Sequence, residues 1–316
     1  MKEIKEVQTL EIPEKSNLGK KLFTWIFFVV VVVLMTIYWI VPFRVIEFDS
    51  NVNSNFTLDG VGEMQFYKQM RFVDEEISYR ISDCNIAKNE EMRDAFDFIE
   101  NLTILKFYSV DSEEEISVTC DETVQYSGNL FIAGEGGPSR IVKTSNYNVI
   151  TYANILLIRD SGCGNPNVAI HELMHTLGFN HSENEDNLMY PISNCDQEIG
   201  MDMINFINEI YSQEPLPDLS FEEVDAVVEG VYLNANISVR NNGLVKSKPS
   251  KIDVYANDRF VKSFDLQELD IGVGNVLSVG HIWISKLNVN ELKFVINYDF
   301  VELDKKNNER ILKIND

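Results

Sequence analysis

Histidine is rare in this sequence, four in 316 residues, and cysteine is no commoner, also four. No Cys-x-x-Cys pair occurs, which argues against zinc held by cysteine. Basic charge is short: 27 Lys and Arg stand against 50 Asp and Glu, a formal net charge of -23. Phosphate neutralisation needs clustered Lys and Arg, so this balance argues against nucleic acid as a partner. It argues equally against adhesion to anionic lipid surfaces. No internal repeat is present, and no low-complexity tract outside a single apolar run. With 45% apolar and 24% charged residues the chain is neither disordered nor collagen-like. Its length suits one to three globular domains.

The apolar run extends from Leu22 to Phe43 without a charge, and Val29 to Val33 are consecutive valines. A bilayer core needs about 20 apolar helical residues. Trp25, Tyr38 and Trp39 lie near its two ends, where interfacial aromatics are favoured. The pattern predicts one N-terminal transmembrane helix over residues 22–43. The competing reading is a cleaved signal peptide, whose apolar region usually spans only about 7–15 residues and ends in an A-x-A-like site that is missing here. A buried helix of a soluble core is a third reading. Lys20 and Lys21 abut the run, whereas Arg44 is followed by Glu47 and Asp49. The positive-inside rule therefore keeps residues 1–21 in the cytoplasm. The expectation is a single-pass cell-membrane protein, N-terminus inside, with nearly all of its acidity outside.

Residues 44–76 read as a stalk and first loops, with little periodicity. Ile77-Ser-Tyr-Arg-Ile81 alternates as a strand, and Met92, Ala95, Phe96 and Ile99 recur at helical spacing within 88–101. Further strands are expected near 104–109, 115–120 and 149–158, which together suggest a mixed α+β or α/β layer domain. Two prolines in Glu214-Pro-Leu-Pro-Asp218 mark a break. Beyond it the apolar period becomes two: Val231, Leu233, Ala235, Ile237 and Val239. Asn241-Asn-Gly243 supplies a turn, and short strands are expected near 251–256, 259–264, 276–284, 291–298 and 310–314. That spacing reads as an all-β sandwich over 217–316.

Three of the four histidines fall in one window, His171-Glu-Leu-Met-His175-Thr-Leu-Gly-Phe-Asn-His181. Asn165 and Pro166 look like the N-cap and first position of a helix. Ile170, Leu173, Met174 and Leu177 form its apolar stripe. His171 and His175 are one turn apart, so both imidazoles leave the same face and can share a metal. Gly178 can adopt a left-handed conformation and end the helix, after which His181 can return to the same ion. Three neutral nitrogens leave one position of tetrahedral zinc open for water, the catalytic arrangement. Glu172 sits too close to the first ligand to be a fourth one, and its natural role is general base. His281 lies in a strand of the second domain and has a structural or surface role by default.

His-Glu-x-x-His-x-x-Gly-x-x-His is the metzincin signature. Ser182 after the third histidine and the segment Leu188-Met-Tyr-Pro191 resemble matrixins among the metzincins. The resemblance implies a zincin-like α+β catalytic domain over 77–213 that hydrolyses peptide bonds with one catalytic zinc. It also implies that Met189 is the Met-turn methionine, packed under the metal and not ligating it. Astacin-like enzymes carry a zinc-binding tyrosine where this chain has Pro191, so no fifth ligand is expected. Ile77-Ser-Tyr-Arg-Ile81 is similar to the first matrixin strand, and Ile99 stands where tryptophan is usual. Ile199-Gly-Met-Asp-Met through Tyr211 resembles the closing helix. There is no second His-rich segment for a structural zinc and no Pro-Arg-Cys-Gly switch, so zymogen control is not carried over. A calcium ion is compatible with the family but has no motif here.

Cys84, Cys120, Cys163 and Cys195 all fall in the exported part, and an even count there reads as two disulfides with three connectivities. The matrixin resemblance favours Cys84 with Cys120 and Cys163 with Cys195. The region from Pro217 to Glu309 resembles CARDB-type immunoglobulin-like domains, which implies a spacer or adhesive role with a surface partner. Sequons stand at Asn55, Asn101 and Asn236. The sequence thus reads as a membrane-anchored extracellular zinc endopeptidase acting on protein or peptide substrates. The rival is a surface adhesion protein with an inactive metzincin-like domain.

Overall fold

The computed structural model describes residues 25, 27, 29 and 30 and, from residue 64 to 314, all but 124–125, 128–129, 160–161 and 285–288. The expected cytoplasmic tail, most of the apolar span, the stalk as far as residue 63 and the Asn55 sequon lie outside the described residues. Trp25, Phe27, Val29 and Val30 are helical and exposed. No helix among the described residues is long and apolar enough to cross a membrane.

The first folded domain is built on one mixed sheet. Strand β1 (Met70–Phe72) lies beside β8 (Asn148–Leu157), followed by β4 (Ile116–Cys120), β2 (Glu76–Ile81) and β3 (Lys106–Ser109), all parallel. Strand β7 (Gly134–Lys143) pairs antiparallel along the length of β8. β5 (Tyr126–Ser127) and β6 (Leu130–Phe131) form a short ladder of their own. Parallel strands need crossover connections, and helix α1 (Ile86–Leu102) makes one between β2 and β3. It buries Met92, Ala95, Phe96 and Ile99, the positions that the 3.6-residue period marks. Asn85 caps it by accepting a hydrogen bond from the Lys88 amide at 2.9 Å. Helix α2 (Asn167–Thr176) is buried along its whole length, and α3 (Met201–Tyr211) closes the domain through Met203, Ile204, Phe206, Ile207 and Ile210.

Three features depart from the expectations. The fold begins before residue 77, because β1 lies wholly buried in the sheet and Met64 and Gln65 are buried too. Its three residues carry an arginine at the centre, which hides the apolar pattern. The second departure is β7, a strand where none is expected, which holds the edge of the sheet. The third concerns the start of α2, where Pro166 occupies the N-cap position and no side chain caps the helix.

The second domain packs the three-stranded sheet β13-β10-β9 against the four-stranded sheet β12-β11-β14-β15. Its strands are β9 (Leu219–Glu229), β10 (Tyr232–Asn241), β11 (Ser250–Ala256), β12 (Arg259–Leu266), β13 (Gly274–Trp283), β14 (Glu291–Asn297) and β15 (Glu309–Lys313), and all pairings are antiparallel. Leu233, Ala235, Ile237 and Val239 from one sheet meet Ile252, Val254, Phe294 and Ile296 from the other in one core. The period-two pattern of the sequence is the inward face of this sandwich. His281 is exposed, at φ 56°.

Arg71 is the link that sets β1 in place. Its guanidinium is fully buried and donates to the carbonyls of Phe72, Val73, Ile210 and Gln213. The cation lies 4.6 Å from the Tyr211 ring centroid, and the Tyr211 hydroxyl accepts the Phe72 amide at 2.9 Å. A cation at the C-terminal end of α3 also meets the negative end of its dipole. Arg71→Ala strands these carbonyls, and a loss of about 3 kcal/mol or more in unfolding free energy is expected by denaturant titration. A loss under 1 kcal/mol, on the order of a single exposed pair, removes Arg71 from this role.

Candidate metal centre

Helix α2 presents His171 and His175 from one face, as their four-residue spacing requires. The His171 Nδ1 bonds the Leu188 carbonyl at 2.7 Å, and the His175 Nδ1 bonds the Phe179 carbonyl at 2.8 Å. A carbonyl only accepts, so each Nδ1 carries the proton and each Nε2 keeps its lone pair for a metal. The chain leaves α2 through Gly178, at φ 93°, and returns His181 to the same place. The His175 and His181 Nε2 atoms stand 3.1 Å apart. One ligand atom from each of His171, His175 and His181 lies within 4.8 Å of the others, a group that can hold a metal ion. Zn–N bonds of about 2.0–2.1 Å in a tetrahedron put nitrogens about 3.3 Å apart, so the donor set fits zinc.

Burial prepares these imidazoles for the metal. It lowers the pKa of His171 and of His175 to about 4, and it lowers that of His181 as well. All three are therefore neutral at physiological pH, the ligating form. Glu172 behaves oppositely. Burial, with repulsion from Glu135 as the smaller cause, raises its pKa to about 8. A carboxyl so poised can take and return a proton near neutrality.

Strand β7 reaches Glu172 because it has no side chains at two points. A Cβ on Gly136 would stand 2.4 Å from the Glu172 carbonyl oxygen, and one on Gly134 would stand 2.8 Å from the Glu172 Cγ. A Cβ on Gly137, by contrast, would meet nothing within 4 Å. The opposite wall comes from Pro191, Ile192 and Ser193 after the Met-turn, with Val168 of α2 beside them. Together they enclose a cleft of roughly 670 Å³ that also contains the three histidines and Glu172. Cys163–Cys195 ties the loop before α2 to this wall, and Asn167 Nδ2 donates to the Asn194 carbonyl at 2.8 Å. Cys84–Cys120 joins the start of α1 to the end of β4.

Met189 is fully buried. Its amide donates to Asn187 Oδ1 at 2.8 Å and its carbonyl accepts from the Ser182 amide at 2.9 Å. The His171 anchor on Leu188 makes this turn part of the centre. Sequence reasoning missed a second support. Asn180 N donates to the Met64 carbonyl at 2.8 Å and Phe66 N to the Gly178 carbonyl at 2.9 Å, so residues 64–66 flank the loop to His181. The Phe66 ring stacks on His175 with centroids 5.8 Å apart. No periodicity marked this segment. The glycines of Gly134-Glu-Gly-Gly137 weaken a strand pattern, and their role shows only against α2.

Residues 71–212 match the sequence model of the matrixin family and residues 216–311 that of CARDB. The chain carries a matrixin domain followed by a CARDB domain. Over 77 residues the chain is 38% identical to interstitial collagenase B of Mus musculus, covering 23% of this chain. It spans only 17% of that relative's length. A crystal structure of a Pyrococcus furiosus CARDB domain in complex with di-metal ions is 20% identical, covering 31% of this chain and 87% of that one at a TM-score of 0.28. A solution NMR structure of the same domain gives the same identity and score and is 94% covered.

The matrixin cleft predicts a contrast between two neighbouring glycines. Gly136→Ala forces β7 off α2, and zinc affinity measured against a competing chelator is expected to fall by about tenfold or more. Gly137→Ala has open space and should bind zinc as the unaltered chain does. Equal affinities in the two variants remove the close approach from the metal site.

Proposed function

We propose that this protein is a membrane-anchored, outward-facing zinc endopeptidase. The observation that carries the reading is the convergence of two buried imidazoles and a third, exposed one, all neutral, beside one buried carboxyl in a cleft of peptide size. Zinc bound there would supply Lewis-acid chemistry, polarising a carbonyl and bringing the pKa of water toward about 7. The protein's own groups do the rest. Among the described residues β7 pairs with β8 alone, so its free edge can align an extended peptide by strand addition. The space between Val168, Pro191 and Ile192 then receives an apolar side chain of the substrate. Glu172 accepts a proton from the attacking water and delivers it to the leaving amine. His171 and His175, fixed through Nδ1, hold their orientation without reorganisation.

Glu172→Ala tests the chemistry. Cleavage of a general protein substrate is expected to drop about a thousandfold while bound zinc stays at one ion per chain. Undiminished cleavage by the variant overturns the role of Glu172. No cleavage by either protein despite bound zinc makes the chain an interaction protein with an inactive matrixin domain.

Localisation rests on the apolar run, the aromatics at its ends and the lysines before it. Full-length protein is expected in the membrane pellet, released by detergent only, with protease added to intact cells reaching residues beyond 43. A chain lacking residues 1–43 should be recovered in the soluble fraction. Its retention in the pellet overturns the anchor.

A further inference from the structure

The CARDB domain does not hang free of the matrixin domain. Both belong to one compact unit. The linker is held at its end: Leu244 N donates to the Leu216 carbonyl at 2.8 Å and Leu303 N to the Pro217 carbonyl at 3.0 Å. What the CARDB domain grips is the turn between β7 and β8. Ser145 N donates to Asn242 Oδ1 at 3.0 Å, and Asn146 Nδ2 donates to Asp218 Oδ2 at 3.1 Å. Gly272 sits so close that an added Cβ would lie 2.6 Å from Val142 Cγ1 and 3.2 Å from the Lys143 carbonyl oxygen.

The gripping groups are themselves fixed. Asn242 is buried; its amide donates to the Asp218 carbonyl at 2.7 Å and its Nδ2 to Ser220 Oγ at 2.7 Å, which leaves Oδ1 aimed at the turn. Asp218 is fully buried and accepts Asn307 Nδ2 on its other oxygen at 2.8 Å. Asn241, also fully buried, accepts the Asp218 amide and donates to the carbonyls of Val245 and Leu269. A Cβ on Gly243 would meet the Asp218 amide nitrogen at 2.4 Å. Asn241-Asn-Gly243, legible in the sequence only as a turn, is thus half of a preformed clasp.

The clasped turn lies at one end of β7, and Gly134 and Gly136 abut Glu172 at the other. The ten residues of β7 cover about 30 Å between these points. Its antiparallel register with β8 slips twice, between Pro138 and Arg140 and between Arg140 and Ile141. Such irregularities loosen a ladder and bend the strand. A strand with one partner among the described residues and two register shifts gains from a second support to keep its edge in place.

We propose that the CARDB domain is a fixed brace for the substrate-binding edge of the cleft: Asp218, Asn242 and Gly272 hold the β7–β8 turn and, through it, β7 beside Glu172. Asp218 and Asn242 are then positioning residues for the hydrolysis. This rests on the cleft beside Glu172 being where substrate binds.

The test uses the full chain with Asn146, which is exposed in the turn and buried in neither core. Asn146→Asp sets a carboxylate against Asp218, Asn146→Ala removes the donor, and Asn146→Gln restores an amide. Amide hydrogen exchange in residues 134–143 is expected to accelerate by about tenfold in the Asp variant, less in Ala, and to return toward normal in Gln. Exchange in β2, β4 and the sandwich core should stay unchanged, and zinc should stay bound. On a peptide substrate KM rises with kcat nearly constant. Unchanged β7 exchange in Asn146→Asp overturns the brace, as does faster exchange spread evenly over both domains. Should the unaltered protein cleave nothing, the hydrolase reading fails while hydrogen exchange still decides whether the clasp holds β7.

Discussion

The backbone approach of β7 onto the helix that carries His171, Glu172 and His175 is the constraint on which the rest of the molecule depends. Two glycines make it, with Gly136 against the carbonyl oxygen of Glu172 itself. Because the strand comes so near, the Glu172 carboxyl is covered and its pKa rises to about 8. The same nearness places a strand edge that is unpaired among the described residues beside the three imidazoles. A side chain at Gly136 would push the strand edge away from the helix by about the width of a methyl group. Packed interiors transmit such displacements because they contain little spare volume.

Supports for this junction come from distant parts of the chain. The carbonyl of Leu188, 17 residues beyond His171, fixes the first imidazole, and residues 64–66 hold the loop that bears the third. Cys163–Cys195 binds the far wall to the loop before the helix. Arg71 ties β1 to the end of α3, and β1 in turn lies against β8 and fills the space over Gly178 with Met70. Each tie has one end in or beside α2, or in the sheet on which α2 rests. The metal centre is therefore the point where the topology closes, not an addition to a finished fold.

How much of this the sequence discloses follows the range of the interactions. His171, His175, Gly178 and His181 are legible because a helix turn and a left-handed glycine are local, and their geometry is fixed by spacing alone. The buried face of α1 and the inward face of β10 are legible for the same reason, since periodicity is set by neighbours in the chain. Residues 64–72 and β7 are not. The first hides an arginine whose partners lie about 140 positions away, and the second hides a strand whose glycines make sense only against a helix that folds later in the chain. Asn241 and Asn242 look like turn formers, because nothing local indicates that Ser145 will stand opposite. The cap of α2 fails in a related way: tertiary burial of all ten residues stabilises that helix without a capping side chain.

The electrostatics of the centre argue for chemistry over architecture. A buried carboxyl with a pKa near 8 and two imidazoles with pKa values near 4 are each held away from their preferred charge states by desolvation. None of the four groups of the centre has a salt-bridge partner among the described residues, and apolar side chains of similar volume would stabilise the same space better. A structural metal site would have use for the three histidines but none for Glu172, whose carboxyl gains nothing from its burial. A cation at the Nε2 atoms changes the balance for every member at once, since neutral imidazoles become ligands and the carboxylate gains a counter-charge. Stability given up without a metal would be regained on binding, and a coupling of metal to fold would follow from the same burial that raises the Glu172 pKa.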